Sequence, residues 1–127
     1  MVGRSSRRFV DAILTGAGLA SIALAVLALA GPWLGICFIL LDGDSMAPTM
    51  PLGSLLVVAT SSPAAIGSGD VITYRTGNGT LVTHRVVAPA TVAGQPAFAV
   101  KGDANPTPDA GLILAAQVVG QIGRAHV

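Results

Sequence analysis

The sequence of 127 residues contains no glutamate, a single lysine (Lys101) and a single cysteine (Cys37). One cysteine excludes an internal disulfide framework and any multi-cysteine metal site. Lying in an apolar run, Cys37 reads as a small buried hydrophobe. Charged residues make up 10% of the chain, against roughly 25% in an average soluble domain. An ordinary soluble protein and a disordered chain are both excluded on that count. The net charge of +1 offers no basic field to nucleic acid. Aromatic residues, at 4%, are too sparse to form a platform on which bases stack. The same scarcity limits chemistry: a general base has to come from Lys101, His84 or His126.

What is abundant is apolar surface, at 52% of residues, and it is concentrated at the front. No charged residue occurs between Ala12 and Leu41, a run of 30. As one helix that run would be about 45 Å long, while a bilayer core is about 30 Å thick. Gly31-Pro32 resolves the mismatch, because proline breaks a helix and pushes the preceding residue towards extended geometry. The reading is a membrane helix from about Val10 to Ala30, closing at Pro32, followed by a short extended stretch from Trp33 to Leu41. Trp33 falls where an interfacial aromatic belongs. Arg4, Arg7 and Arg8 precede the helix and only Asp11 opposes them. The positive-inside rule therefore puts residues 1–9 in the cytoplasm and residues 33–127 outside it or in a lumen. A cleaved secretory signal is the competing reading, since Ala28-Leu29-Ala30 is an A-x-A-like site. The uncharged stretch exceeds the usual 7–15-residue core of such signals, which favours a retained single-pass anchor.

After Asp42 short β-type runs alternate with turn clusters. Ser54–Val58, Asp70–Tyr74, Thr80–Val87, Ala97–Lys101 and Ala116–Ile122 read as strands, with Thr76-Gly77-Asn78-Gly79 a hairpin signal. Ser61–Gly69 and Ala88–Gln95 read as loops. The fold class is mostly β: a small barrel or sandwich preceded by one transmembrane helix.

Three clusters could carry chemistry. Asp42 to Met50 sets Ser45 on a glycine-containing turn stiffened by Pro48, able to expose its hydroxyl and its backbone N–H; alone, it is also ordinary turn punctuation. A free serine needs a base within hydrogen-bond reach. A lysine must lose roughly 4 kcal/mol of preference for its charged form to work near neutrality, whereas an imidazole begins near 6.5. His84 shares one strand face with Val82 and Val86, where a histidine serves a core as readily as a site. His126, next to the last residue, reads as frayed. In Lys101 to Asp109, the carboxylates of Asp103 and Asp109 are both candidates to orient a histidine and stabilise its imidazolium. No metal or organic cofactor is called for.

These clusters carry a resemblance. Ser45-Met46-Ala47-Pro48-Thr49 resembles the S-M-x-P-T box of type I signal peptidases. Thr83-His84-Arg85-Val86 is similar to the second box of the branch found in the endoplasmic reticulum, archaea and some Gram-positive bacteria, where histidine replaces the lysine of most bacterial enzymes. Lys101-Gly102-Asp103-Ala104-Asn105, with Asp109 six residues after Asp103, is similar to that branch's G-D-x-N…D box. The resemblance runs from about residue 10 to Gly123.

The resemblance implies a mostly-β catalytic domain that cleaves signal peptides from preproteins after small residues, in the cell membrane or the endoplasmic-reticulum membrane. Its partners would be preprotein signal peptides and the lipid bilayer. It implies Ser45 as nucleophile and His84 as general base. Asp109 would orient the histidine, with Asp103 supporting the site or sharing that role. The Ser45 N–H would bind the oxyanion, within a substrate-binding turn that includes Gly43, Asp44 and Met46. Two departures stand out. Gly43 replaces a serine that assists the oxyanion in some relatives. The chain also stops at Val127, soon after Val118-Val119-Gly120-Gln121-Ile122, where many relatives continue into another membrane helix; it is either a natural short form or a truncated one. The substrate is expected to add as a strand along Ile36 to Asp42. A histidine base implies activity that falls below about pH 6, a lysine base activity rising only above about pH 9.

Two other readings remain at this point. The repressor-cleaving autoproteases carry a similar G-D-S-M-x-P-T box, but they use lysine and many have a DNA-binding domain. An inactive or binding-only anchored β domain would keep the fold without the chemistry.

Overall fold

The computed structural model describes residues 3–123, so His126 lies outside the described residues. The chain divides into two compact units, Met1–Leu34 and Gly35–Val127. The first is one helix, α1 (Arg4–Ala30), followed by a 3-10 turn over Gly31–Leu34. Its 27 residues span about 40 Å, and it is long and apolar enough to cross a membrane. The helix starts six residues before the expected Val10, because the apolar run marks where lipid could begin and not where helical geometry begins. Nothing between Arg4 and Phe9 breaks a helix, and the chain leaves helical geometry at Gly3. It ends at Ala30, just before Gly31-Pro32. Trp33 lies in the 3-10 turn and not in an extended stretch, and it is 92% exposed.

The second unit is a seven-stranded antiparallel sheet: β1 (Ile36–Leu40), β2 (Leu55–Ala59), β3 (Val71–Arg75), β4 (Leu81–Val92), β5 (Gln95–Lys101), β6 (Ile113–Leu114) and β7 (Val118–Ile122), in the order β1-β2-β7-β3-β4-β5-β6. The mostly-β expectation holds at this level. β3 is the central strand and is buried from Val71 to Tyr74. Alternate side chains go to opposite faces. Val71 joins an apolar cluster with Leu41, Met46, Met50, Leu56, Val58 and Ile122. Ile72 and Tyr74 join another with Ile66, Val86, Phe98 and Val100.

The β3–β4 hairpin forms where the Thr76–Gly79 signal lies, with Arg75 opposite Leu81 and the Thr76 N–H donating to the Thr80 carbonyl at 2.9 Å. The expected loop over Ala88–Gln95 is instead the rest of β4, a tight turn and the start of β5. Ala93 (φ 49°) and Gly94 (φ 77°) both adopt left-handed geometry, as two-residue hairpin turns require. Pro89 sits inside β4 and does not end it. β3 pairs with β4 only as far as Arg85, so Pro89 lies where β4 has a free edge, and an edge tolerates proline.

Two of the free strand edges border the Ser45 turn. β1 ends the sheet, with β2 its one partner among the described residues. The start of β4, Leu81 to His84, pairs with β3 on one side, while β5 joins the other side only from Arg85 onwards. Residues from both stretches line one groove of about 530 Å³, together with Asp42, Gly43 and Ser45.

Packing at the centre is tight enough to forbid a methyl group. A Cβ on Gly120 of β7 would lie 2.5 Å from the Ala59 carbonyl oxygen and 2.6 Å from Val58 Cγ1. Gly120→Ala is therefore expected to lose about 1–3 kcal/mol of stability, read as a lowered unfolding midpoint of the full chain in detergent; an unchanged midpoint would contradict this packing.

Candidate active site

Ser45 stands on the long turn between β1 and β2. The turn is closed at its base, where the Leu41 N–H donates to the Ser54 carbonyl and the Gly53 N–H to the Leu41 carbonyl, both at 2.8 Å. Within it the Ala47 N–H donates to the Asp44 carbonyl at 2.9 Å and the Met50 N–H to the Met46 carbonyl at 2.8 Å. Met46 and Met50 anchor the turn from beneath, in the first apolar cluster. Met46 is 0% exposed, so within this turn its side chain is core and only its backbone is left to the groove side. The reason is alternation in a tight turn: with Ser45 facing the groove, its neighbour faces the interior. Gly43 lines the groove, while Asp44 is exposed and contributes its carbonyl to the turn.

A second segment holds the turn from the side. The Ala104 N–H donates to the Ser45 carbonyl at 2.8 Å. The approach is so close that a Cβ on Gly102 would lie 2.7 Å from that carbonyl oxygen and 2.7 Å from Asn105 Nδ2. The glycine of the third motif is there for a physical reason, since without a side chain it lets two backbones meet behind Ser45.

His84 is on β4, opposite Ile72, and is 7% exposed. Its Nε2 is 3.2 Å from Ser45 Oγ. Its Nδ1 is 2.6 Å from Asp109 Oδ2. Asp109 lies on the irregular stretch between β5 and β6, where its own N–H donates to the Val100 carbonyl at 2.9 Å. Serine, histidine and aspartate, 39 and 25 residues apart in sequence, thus form one continuous line of contacts.

The two acids left unranked by the sequence have different neighbours. Asp103 touches neither Ser45 nor His84. It receives a forked pair of hydrogen bonds from Arg85, Nε to Oδ1 at 2.9 Å and Nη2 to Oδ2 at 2.8 Å. Successive side chains of β4 point to opposite faces, so His84 and Arg85 each take a separate carboxylate. The Arg85 hydrogen bonds hold the Asp103 carboxyl below its ordinary range against the opposing effect of burial, with a smaller lowering from Thr49. Asp103 therefore braces the turn that carries Ser45 and does not share the contact to the imidazole. The other candidate base, Lys101, donates its Nζ to the Gly102 carbonyl at 3.1 Å. Among the described residues no group of three His, Cys or Asp side chains could hold a metal ion.

Tyr74 was overlooked by sequence reasoning. Its hydroxyl donates to Asp109 Oδ2 at 3.0 Å and lies 3.4 Å from His84 Nδ1. Burial first, then the hydrogen bond and charge of Asp109, push the phenol well above its ordinary pKa, which keeps it a protonated donor. The hairpin held the signal: with Arg75 opposite Leu81, Tyr74 falls on the face of β3 that also carries Ile72, the partner of His84.

Neither a scan against protein-family models nor a search of the curated proteins finds a match for the chain.

Two consequences can be measured. Asp103 ionises more readily folded than unfolded, so its contribution to stability is present above the ordinary carboxyl pKa of about 3.9 and is lost as pH falls through that value and then through the lower folded one. Asp103→Asn should accordingly flatten the loss of stability below about pH 4, followed by denaturation against pH; an unaltered acid limb would contradict the pairing. Gly102→Ala should displace Ser45 while sparing the sheet, visible as shifted amide signals around Ser45 and Asn105 with those of β3 unmoved.

Proposed function

We propose that the chain is a membrane-anchored serine endopeptidase that removes signal peptides from preproteins after small residues, built on a small signal-peptidase-like β domain. The observation that carries this reading is the line Ser45 Oγ to His84 Nε2 at 3.2 Å and His84 Nδ1 to Asp109 at 2.6 Å. A hydroxyl, an imidazole and a carboxylate in that order are what nucleophilic acyl transfer needs.

On this reading the Ser45 Oγ attacks the scissile carbonyl as His84 Nε2 accepts its proton. Asp109, bound to Nδ1, keeps the proton-accepting nitrogen turned to Ser45 and stabilises the imidazolium that forms. The Ser45 N–H serves the developing oxyanion. The imidazolium then returns its proton to the leaving amine. Water, deprotonated by the same histidine, finally hydrolyses the acyl-enzyme.

The groove supports an extended peptide as substrate. It runs between the free edges of β1 and the start of β4, so a bound strand could take main-chain hydrogen bonds from either side. Ile39, Leu41, Leu81 and Val82 give it apolar walls. Helix α1 supports the membrane setting, and β1 begins only six residues after that helix ends, a tether of about 20 Å at full extension. Phe38, Leu40, Leu55 and Val57 expose 41–66% of their surface on paired positions of β1 and β2, an apolar face suited to lipid. A shared bilayer would raise the effective concentration of substrate at the enzyme. Lys101, engaged at Gly102, weighs against a lysine-dependent autoprotease.

The test is cleavage of a preprotein by the full chain in lipid-detergent micelles. Wild type should release mature protein, with Ser45→Ala and His84→Ala each lowering the rate about a thousandfold or more. Equal product from Ser45→Ala and wild type, or no product from either, would overturn the proposal in favour of a binding-only domain.

A further inference from the structure

Tyr74 is the chain's one tyrosine and a polar group at the site for which the mechanism above has no use. A buried phenol needs some hydrogen-bond partner, but the partner here is specific. The hydroxyl reaches Asp109 Oδ2 at 3.0 Å, the same oxygen that faces His84 Nδ1 at 2.6 Å. The two rings also meet edge-on, with centroids 6.2 Å apart and planes at 74°. Asp109 belongs to a stretch without regular structure, whereas Tyr74 stands on the central strand and is 2% exposed.

We propose that Tyr74 is a positioning residue of the proton relay: its hydroxyl fixes the Asp109 carboxylate against His84 and limits how strongly that carboxylate pulls on the imidazole proton. The proposal rests on the hydrolase reading above. A carboxylate oxygen with two donors shares its negative charge between them, so it stabilises the imidazolium less than an oxygen bound to histidine alone. Tyr74 thus gives up some imidazolium stabilisation in return for fixed geometry. The groups that face His84 are Ser45 from the β1–β2 turn, Tyr74 from β3 and Asp109 from the stretch after β5. Arg85, next on its own strand, is turned to Asp103. Asp109 is therefore the charge in contact with the ring, and its hydrogen bonding is the lever on that ring's ionisation. Burial keeps the phenol protonated, so the lever does not itself titrate in the working range.

A lone tyrosine makes the test specific. Tyr74→Phe removes the hydroxyl and keeps the ring. Meta-fluorotyrosine, incorporated throughout the full chain, replaces this one side chain with a more acidic and stronger donor of nearly the same shape. In preprotein cleavage, Tyr74→Phe is expected to lower kcat about tenfold with KM unchanged and to move the acid limb of the pH profile up by about half a pH unit. The fluorinated chain should move that limb down. In an Asp109→Asn background, Tyr74→Phe should cost nothing further, because the hydroxyl acts through the carboxylate.

Fluorine NMR reads the same coupling without a substrate. The fluorine signal should titrate with the His84 ring, and Asp109→Ala should weaken that response to what the direct contact of the two rings carries. Parental kcat and acid limb in Tyr74→Phe, an additive loss in the Asp109→Asn background, or a fluorine signal blind to His84 would each overturn the proposal. A wild-type chain that cleaves nothing would instead overturn the hydrolase reading, and the fluorine titration would still decide whether Tyr74 is coupled to the pair.

Discussion

The contact between Asp109 and Nδ1 of His84 decides which ring nitrogen carries a proton, and the chemistry proposed for this chain depends on that choice. A neutral imidazole has one N–H and one acceptor nitrogen. With the carboxylate 2.6 Å from Nδ1, the proton belongs on that side and Nε2 is left as an acceptor towards Ser45. Reversing the tautomer would set an N–H against a hydroxyl that must lose its own proton. The other groups around the ring either hold this arrangement or stay clear of it. Tyr74 supports the carboxylate, and Arg85 keeps the second acid occupied elsewhere.

The fold supplies that geometry by pinning three unlike pieces of chain to one rigid strand. β3 is buried on both faces and pairs with β4, which carries His84. The turn bearing Ser45 could not hold its place unaided. Met46 and Met50 anchor it from below, and the Gly102–Ala104 segment holds it from the side. Asp103, through Arg85, ties that same segment to β4. The motif residues that do no chemistry are thus mostly scaffold: a methionine because the turn needs a floor, a glycine because two backbones meet, an aspartate because an arginine needs a fixed partner.

How much of this was legible in the sequence differed by scale. The helix was visible in its uncharged run and its end in Gly31-Pro32, but its start was not, since lipid-compatible composition and helical geometry have different limits. Hairpin chemistry located β3 and β4 through Thr76–Gly79, yet the Ala93-Gly94 turn lay inside a segment read as a loop, since the free edge that lets β4 run through Pro89 is a property of the sheet. Ser45, His84 and Asp109 could be named from residue type and motif order. Their convergence could not be derived, because it depends on the pairing of β7 between β2 and β3, which no local pattern encodes. The division of labour between Asp103 and Asp109 was hidden for a related reason: only strand alternation at His84 and Arg85 separates the two carboxylates. That the Met46 side chain is core was also hidden, because a motif gives positions and says nothing of which side chains face inward.

The central claim is about a proton, and nitrogen NMR of isotope-labelled histidine reads it directly. In the full chain carrying His126→Gln, which leaves His84 as the one histidine, the account predicts at neutral pH a protonated Nδ1 with its proton at low field and an unprotonated Nε2. It also predicts that this pattern is lost on Asp109→Asn. A ring protonated at Nε2, or one indifferent to Asp109, would leave the Ser45 proton without an acceptor and would contradict the account.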